Sequence, residues 1–231
     1  MSEVLDRLRA RDTTLWPDGN VAADRLGWLE SPADYAGRAP ELRAFAEAID
    51  QSKIVLIGMG GSSLGPEVLR AFASSDRLVV LDTTDPRTIA SVELDDAFFL
   101  VSSKSGGTLE VKALLAHAWD RVPDGSRYAA ITDPGTELAG LARERGFRRL
   151  FENRADIGGR YSVLSSFGLV PAAILGYDVA ELCERARSVD AEEAVELGLA
   201  MGRAARQGRD KVTIRTAPTA RRSRSARDRS P

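Results

Sequence analysis

A chain of 231 residues holds one large domain or two small ones, and 43% hydrophobic with 29% charged residues is the composition of an ordinary globular protein. A net charge of −2 argues neither for nucleic acid nor for a membrane surface as partner, and neither is expected, while no apolar run approaches the roughly 20 residues that span a bilayer. The single cysteine, Cys183, rules out an internal disulfide, and the charged start "MSEVLDRLRARD" lacks the apolar core of a secretory signal, so a cytoplasmic location is expected.

Residues 1–50 read as helices and loops. Val4, Leu5 and Leu8 share one helical stripe. Ser31-Pro32 has the form of an N-cap and first-turn pair opening a second amphipathic segment. From residue 54 short apolar runs alternate with helical patterns. "IVLIGMG" (54–60), "RLVVLDT" (77–83), "AFFLVSSK" (97–104), "YAAITD" (128–133) and "RLFEN" (149–153) read as strands. Near-continuous apolar strands joined by helices predict a parallel five-stranded sheet buried on both faces, a doubly wound α/β fold. Ligands of such sheets sit beyond the carboxyl ends of the strands.

Beyond 157 a glycine loop precedes "SSFGLVPAAILGYD", helical around its proline, and one or two amphipathic helices over 179–208 in which Cys183 packs as a small apolar residue. "RDKVTIRT" begins like a further strand, and the sequence then loses apolar periodicity. Residues 209–231 carry eight Lys/Arg against two Asp/Glu, leaving −8 on residues 1–208; such a polar tail without aromatics suggests disorder. The chain thus divides into an N-terminal helical segment (1–50), an α/β domain (51–156), a glycine loop with helices (157–208) and a basic tail (209–231).

Two strand ends carry polar, glycine-rich turns. "GMGGSSLGP" (58–66) follows the first strand, and such turns let backbone N–H groups approach a phosphate. Gly60 and Gly65 have P-loop spacing, but Pro66 stands where that loop needs lysine. A dinucleotide site would use Gly58-x-Gly60 and Asp82 about 20 residues on, yet its third glycine position holds Ser63. A sugar phosphate explains more: Ser62 and Ser63 lie beside the N–H groups of the helix begun by Pro66, and the third strand delivers "SSKSGGT" (102–108) at another helix start. Two helix dipoles, several hydroxyls and Lys104 would converge on one compact dianion. Either turn alone reads as an ordinary capped connection; the pair favours a ligand site.

"IGMGGSSLGP", "SSKSGGTLE" and "GGRYSVLSSFGLVPAAILG", in that order, resemble signature stretches of the glucose-6-phosphate isomerase family, and "RDTTLWPDG…ADRLGWL" is similar to the bacterial form fused to transaldolase. The resemblance spans roughly residues 10–215 and implies a sugar-isomerase (SIS) sandwich acting on glucose 6-phosphate and fructose 6-phosphate, with no cofactor and no metal. It implies that Gly61 and Ser62 form the first sugar-phosphate turn and Ser103, Lys104, Ser105 and Thr108 the second, and that Arg160 stabilises charge on the enediol intermediate. The family's catalytic Glu, His and second Lys lie in a segment not found here. The lone histidine, His117, falls outside the family's histidine motif, and Glu110 has a simple role at the positive end of a helix dipole. The family is homodimeric, but much of that interface has no counterpart in this sequence.

The match ends near Arg215, where the family begins a second domain. With 28 Arg against 4 Lys, a GC-rich gene is implied, and the tail is expected to be frameshifted or truncated, unselected for structure after about 216. The expectation is an isomerase by family with little activity alone; the alternatives are a stand-alone sugar-phosphate-binding module and a non-functional remnant.

Overall fold

In the computed structural model, which describes residues 2–17, 20–189 and 191–215, five parallel strands form one sheet in the order β2-β1-β3-β4-β5. They are β1 (Lys53–Gly58), β2 (Leu78–Leu81), β3 (Ala97–Ser102), β4 (Tyr128–Thr132) and β5 (Arg149–Glu152). β1 pairs with β3 from Lys53 opposite Ala97 to Gly58 opposite Ser102, so the two strands end level. The expected doubly wound α/β fold is present.

Each central strand is apolar along its middle because alternate side chains enter different cores. Ile54 and Leu56 of β1, Phe98 and Leu100 of β3, Ala129 and Ile131 of β4 face one side. There they meet α3 (Ala39–Glu47), α8 (Ser166–Ile174) and α9 (Val179–Arg187) through Leu42, Phe167, Leu169 and Cys183. Val55, Ile57, Phe99, Val101, Tyr128 and Ala130 face the other side, against α6 (Leu109–Arg121) and α7 (Glu137–Glu144) through Val111, Leu114, Leu115 and Leu138. Cys183 is fully buried, as expected, and burial pushes its thiol pKa up. Pro171 sits inside α8 without ending it.

Several local expectations are corrected. Residues 31–50 form two helices, α2 (Ser31–Ala36) and α3, because Pro40 in the first turn of α3 cannot extend the helix before it. Ser31 does not cap α2; its hydroxyl donates to the Leu164 carbonyl, a tertiary bond. The helix after β2, α5 (Pro86–Ala90), is capped by Asp85, whose carboxylate accepts from Thr88 N–H at 3.0 Å. The strand expected at "RDKVTI" does not form. Residues 209–215 follow α10 (Ala191–Arg206) without regular structure, and Val212 and Ile214 are exposed, because no strand edge stands beside them. The rest of the basic tail, 216–231, lies outside the described residues. Among the described residues no helix is long and apolar enough to cross a membrane.

Of the remaining N-terminal elements, α1 (Ser2–Arg9) packs on α10, and the turns of residues 20–29 dock on the loop after β5. Leu26 bridges Ile157, and Gly27 N–H donates to the Asp156 carbonyl at 2.9 Å. Trp28 stacks on Tyr161 with ring centroids 5.5 Å apart.

Candidate functional site

The strand order reverses between β1 and β3, the switch point at which open α/β sheets hold their ligands. Helix α4 (Leu64–Ala73) leaves β1 toward one face and α6 leaves β3 toward the other, opening a crevice at the strands' carboxyl ends. A cavity of about 440 Å³ lies there, lined by Arg25, Met59, Gly61, Ser62, Lys104, Ser105, Thr108, Asp133 and Gly159. That volume suits one small ligand. A larger groove of about 620 Å³ runs along the exposed edge of β2 and includes Asp82. The acid that a dinucleotide reading required is therefore not part of the cavity at the glycine turn.

Both turns are built to bring bare backbone to this crevice. Gly60 adopts φ +57° and Gly106 φ +65°, conformations that glycine takes without strain. Gly106 also packs on Thr136, where a Cβ would lie 2.6 Å from the threonine's own. Ser102 Oγ donates to the Ser62 carbonyl at 3.2 Å, tying the first turn to the end of β3. Of the helices that leave strands β2 and β4, α5 is closed by Asp85 and α7 by Thr136, each accepting from a backbone N–H. Helices α4 and α6 have no such side-chain cap. Their first N–H groups have no partner within the helix, and Ser62 and Thr108, just before the two helices, line the cavity.

The hydroxyls divide into committed and free. Ser63 Oγ donates to the Gly60 carbonyl at 3.2 Å and is fully buried, so of the two serines expected to offer donors only Ser62 lines the cavity. The Ser62 hydroxyl has no partner among the described residues. Thr108, the residue before α6, receives Ser103 Oγ at 3.3 Å and lies 3.5 Å from Ser105 Oγ. Three hydroxyls thus form one cluster at the start of α6, with Ser103 buried behind Ser105 and Thr108. Lys104 Nζ pairs with Asp133, at the end of β4, and donates to the Ala155 carbonyl at 3.3 Å. The other Asp133 oxygen is buried without a hydrogen-bond partner among the described residues.

Gly159 closes the cavity from a third direction. A Cβ on Gly61 would overlap the Gly159 carbonyl, so the two backbones meet directly. Ser162 Oγ holds the contact by donating to Gly159 O at 2.7 Å and Gly61 O at 3.4 Å. The loop leading to Gly159 is fixed by ion pairs: Arg154 donates to both Asp156 oxygens at 2.9 and 2.8 Å, and Arg11 to one of them at 2.5 Å. These bonds, Arg154's above all, hold the Asp156 carboxyl well below the usual carboxylate range.

The structure therefore brings together Gly61, Ser62, Lys104, Ser105 and Thr108, with Ser103 immediately behind them. Arg160 stands apart: it is exposed, beside the lining Gly159 but not in the lining itself. His117 and Glu110 are exposed on α6 and do not line the cavity. Sequence reasoning missed Asp133 and Arg25. An acid ending a sheet strand was a usable signal for Asp133. Nothing local marks Arg25, which arrives through the docking of the N-terminal turns on the β5 loop.

The phosphoglucose isomerase family matches residues 45–196, from the helix before β1 into α10. The chain is 34% identical over 207 residues to a glucose-6-phosphate isomerase of Trichormus variabilis, covering 78% of this chain and 37% of the relative. It is 34% identical over 149 residues to that of Campylobacter jejuni, covering 58% and 36%. Among solved structures, a hypothetical protein from Thermus thermophilus superposes with a TM-score of 0.67 at 30% identity, covering 80% of this chain and 47% of that one. A glucose-6-phosphate isomerase from Chlamydia trachomatis gives 0.52 at 26%, covering 77% and 35%. The chain thus spans little more than a third of the length of these curated relatives. The matched region holds the whole sheet, both glycine turns and the Gly159 loop, and the chain belongs to the phosphoglucose isomerase family.

Proposed function

We propose that the cavity binds the phosphate of glucose 6-phosphate or fructose 6-phosphate, and that the chain supplies the phosphate-holding part of an aldose–ketose isomerase. The reading rests on one observation above others: two uncapped helix starts, a three-hydroxyl cluster and a lysine surround one cavity at the switch point. Backbone N–H groups and hydroxyls donate to phosphate oxygens, and helix dipoles favour the negative charge.

Isomerisation removes a proton from C2 of the open-chain aldose and returns it to C1 through an enediolate, while a proton moves between the adjacent oxygens. It needs a carboxylate base within reach of both carbons and a fixed positive charge beside the enediolate. Arg160, one residue from the cavity lining, is our candidate for that charge; it would have to swing inward over the sugar. The one carboxylate among the lining residues, Asp133, is engaged by Lys104, which makes it a poor base. We therefore expect this chain alone to bind and not to turn over.

Calorimetric titration with glucose 6-phosphate, glucose as control, tests the binding reading, and a coupled isomerase assay tests the second part. Binding of the phosphorylated sugar only, with turnover below detection, supports both. Equal affinity for glucose removes the phosphate site, and robust turnover removes the argument about the base.

A further inference from the structure

We infer that Arg25 is a ligand-binding residue that places its guanidinium on the phosphate of the bound sugar phosphate, an inference that rests on the sugar-phosphate reading of the cavity. Arg25 lines that cavity together with Ser62, Lys104, Ser105 and Thr108. Its Nη1 donates to the Ala155 carbonyl at 2.7 Å, the same oxygen that receives Lys104 Nζ at 3.3 Å. Two cations distant in sequence are therefore pinned to one acceptor at the mouth of the hydroxyl cluster.

The charge balance gives Arg25 its importance. Lys104 is paired with Asp133, so without Arg25 the charged groups of the lining cancel. A phosphate dianion entering such a cavity would meet hydroxyls and helix dipoles but no net positive charge. Arg25 has no acidic partner among the described residues, and one bond to Ala155 leaves most of its five N–H donors uncommitted. A planar guanidinium with free donors suits a phosphate better than any other side chain. Its position is also over-determined for a loop residue. On its C-terminal side Leu26 bridges Ile157, Gly27 bonds to Asp156, and Trp28 stacks on Tyr161.

The competing role is purely structural, a tie between the N-terminal turns and the β5 loop. Arg25→Gln separates the two, since glutamine keeps an N–H donor for Ala155 and loses the charge. Titrations of glucose 6-phosphate and of inorganic phosphate into wild type, Arg25→Gln and Thr108→Val decide between them. We expect Arg25→Gln to weaken both ligands by about tenfold, the low end for a charge-assisted bond at a half-buried site. The melting temperature should stay within about 2 °C of wild type.

Normal affinity in Arg25→Gln beside weakened Thr108→Val overturns the Arg25 inference and leaves the cavity reading standing. Loss for the sugar phosphate but not for inorganic phosphate also overturns it, because the contact would then be to the sugar. Absence of binding by wild type removes the cavity reading and this inference with it. Should Arg25→Gln fail to fold, wild type alone answers the question. Inorganic phosphate must shield Arg25 from phenylglyoxal, read by peptide mass mapping, and unshielded modification overturns the inference.

Discussion

Gly61 and Gly159 meet backbone to backbone, so closely that a Cβ on Gly61 would overlap the Gly159 carbonyl oxygen. The contact joins the turn after β1 to the loop after β5, and Ser162 bonds to both carbonyls. Because the obstacle is a main-chain atom, no rotamer change relieves it. Gly61→Ala should therefore push the two loops apart, costing about 1–3 kcal/mol of stability, in the range of other overpacked sites. Sugar-phosphate affinity should fall by at least about tenfold, since 1.4 kcal/mol of lost contact is enough for that. Thermal melting and calorimetry report the two effects. A variant with unchanged melting and binding would mean that the loops part freely.

The hydroxyl cluster is tested by near-isosteric changes. Thr108→Val keeps the shape of the side chain and removes the oxygen that receives Ser103 at 3.3 Å; Ser103→Ala removes the donor. Thr108→Val should weaken glucose 6-phosphate binding through loss of a charge-assisted hydrogen bond of roughly 1.5–3 kcal/mol; Ser103 lies behind Thr108 and outside the lining, where it orients that hydroxyl, so Ser103→Ala should weaken binding less. Thr108 stands at the start of α6 without capping it, so helix stability should change little. Far-ultraviolet circular dichroism alongside calorimetry distinguishes a binding loss from a lost helix. Undiminished affinity in both variants would place the phosphate elsewhere.

What the sequence revealed and what it hid follow one physical division. The central strands were legible because they are buried on both faces: Ile54 to Ile57 enter two cores in alternation, and the resulting apolar run needs no partner to be recognised. The two turns were legible because glycine at φ +57° and φ +65° leaves a local mark. Features made by tertiary contact left none. Ser31 looks like a cap and instead bonds to Leu164. Val212 and Ile214 alternate like a strand, but strands exist only in pairs, and these residues stay exposed. Arg25 is one arginine among 28 until the Gly27–Asp156 contact carries it to the cavity.

Lys104 and Asp133 have a structural bond and a proposed binding role that can be separated. Lys104→Met removes the cation from a largely buried carboxylate whose other oxygen already lacks a partner among the described residues. The uncompensated charge should cost about 1–3 kcal/mol, less than a fully buried broken pair because the site opens to solvent. Adding Asp133→Asn removes that charge and should restore most of the stability. It should not restore phosphate binding, because the lysine is still missing. Recovery of binding in the double variant would show that Lys104 serves only to neutralise Asp133.

Asp156 sets an acid limit on the loop that carries Gly159. Its carboxyl is depressed by hydrogen bonds from Arg154 first and then from Arg11, and Gly27 leaves no room for a side chain between the segments. A carboxyl lower in the folded than in the unfolded chain stabilises fully above the unfolded value of about 4. That contribution is lost as pH falls from there toward the folded value. Asp156→Asn should therefore melt below wild type at pH 7. The side chain is a third exposed, which limits the loss to about 1 kcal/mol, or roughly 2–4 °C. The gap between the two proteins should hold from pH 7 to about pH 5 and narrow below about pH 4 as wild type loses what the variant never had. Taking the difference cancels the other acids, including Asp12, lowered to about 2 by its bonds to Thr14 and Arg7. A gap that stays constant to the lowest pH reached would mean that Asp156 acts through shape and not through its charge.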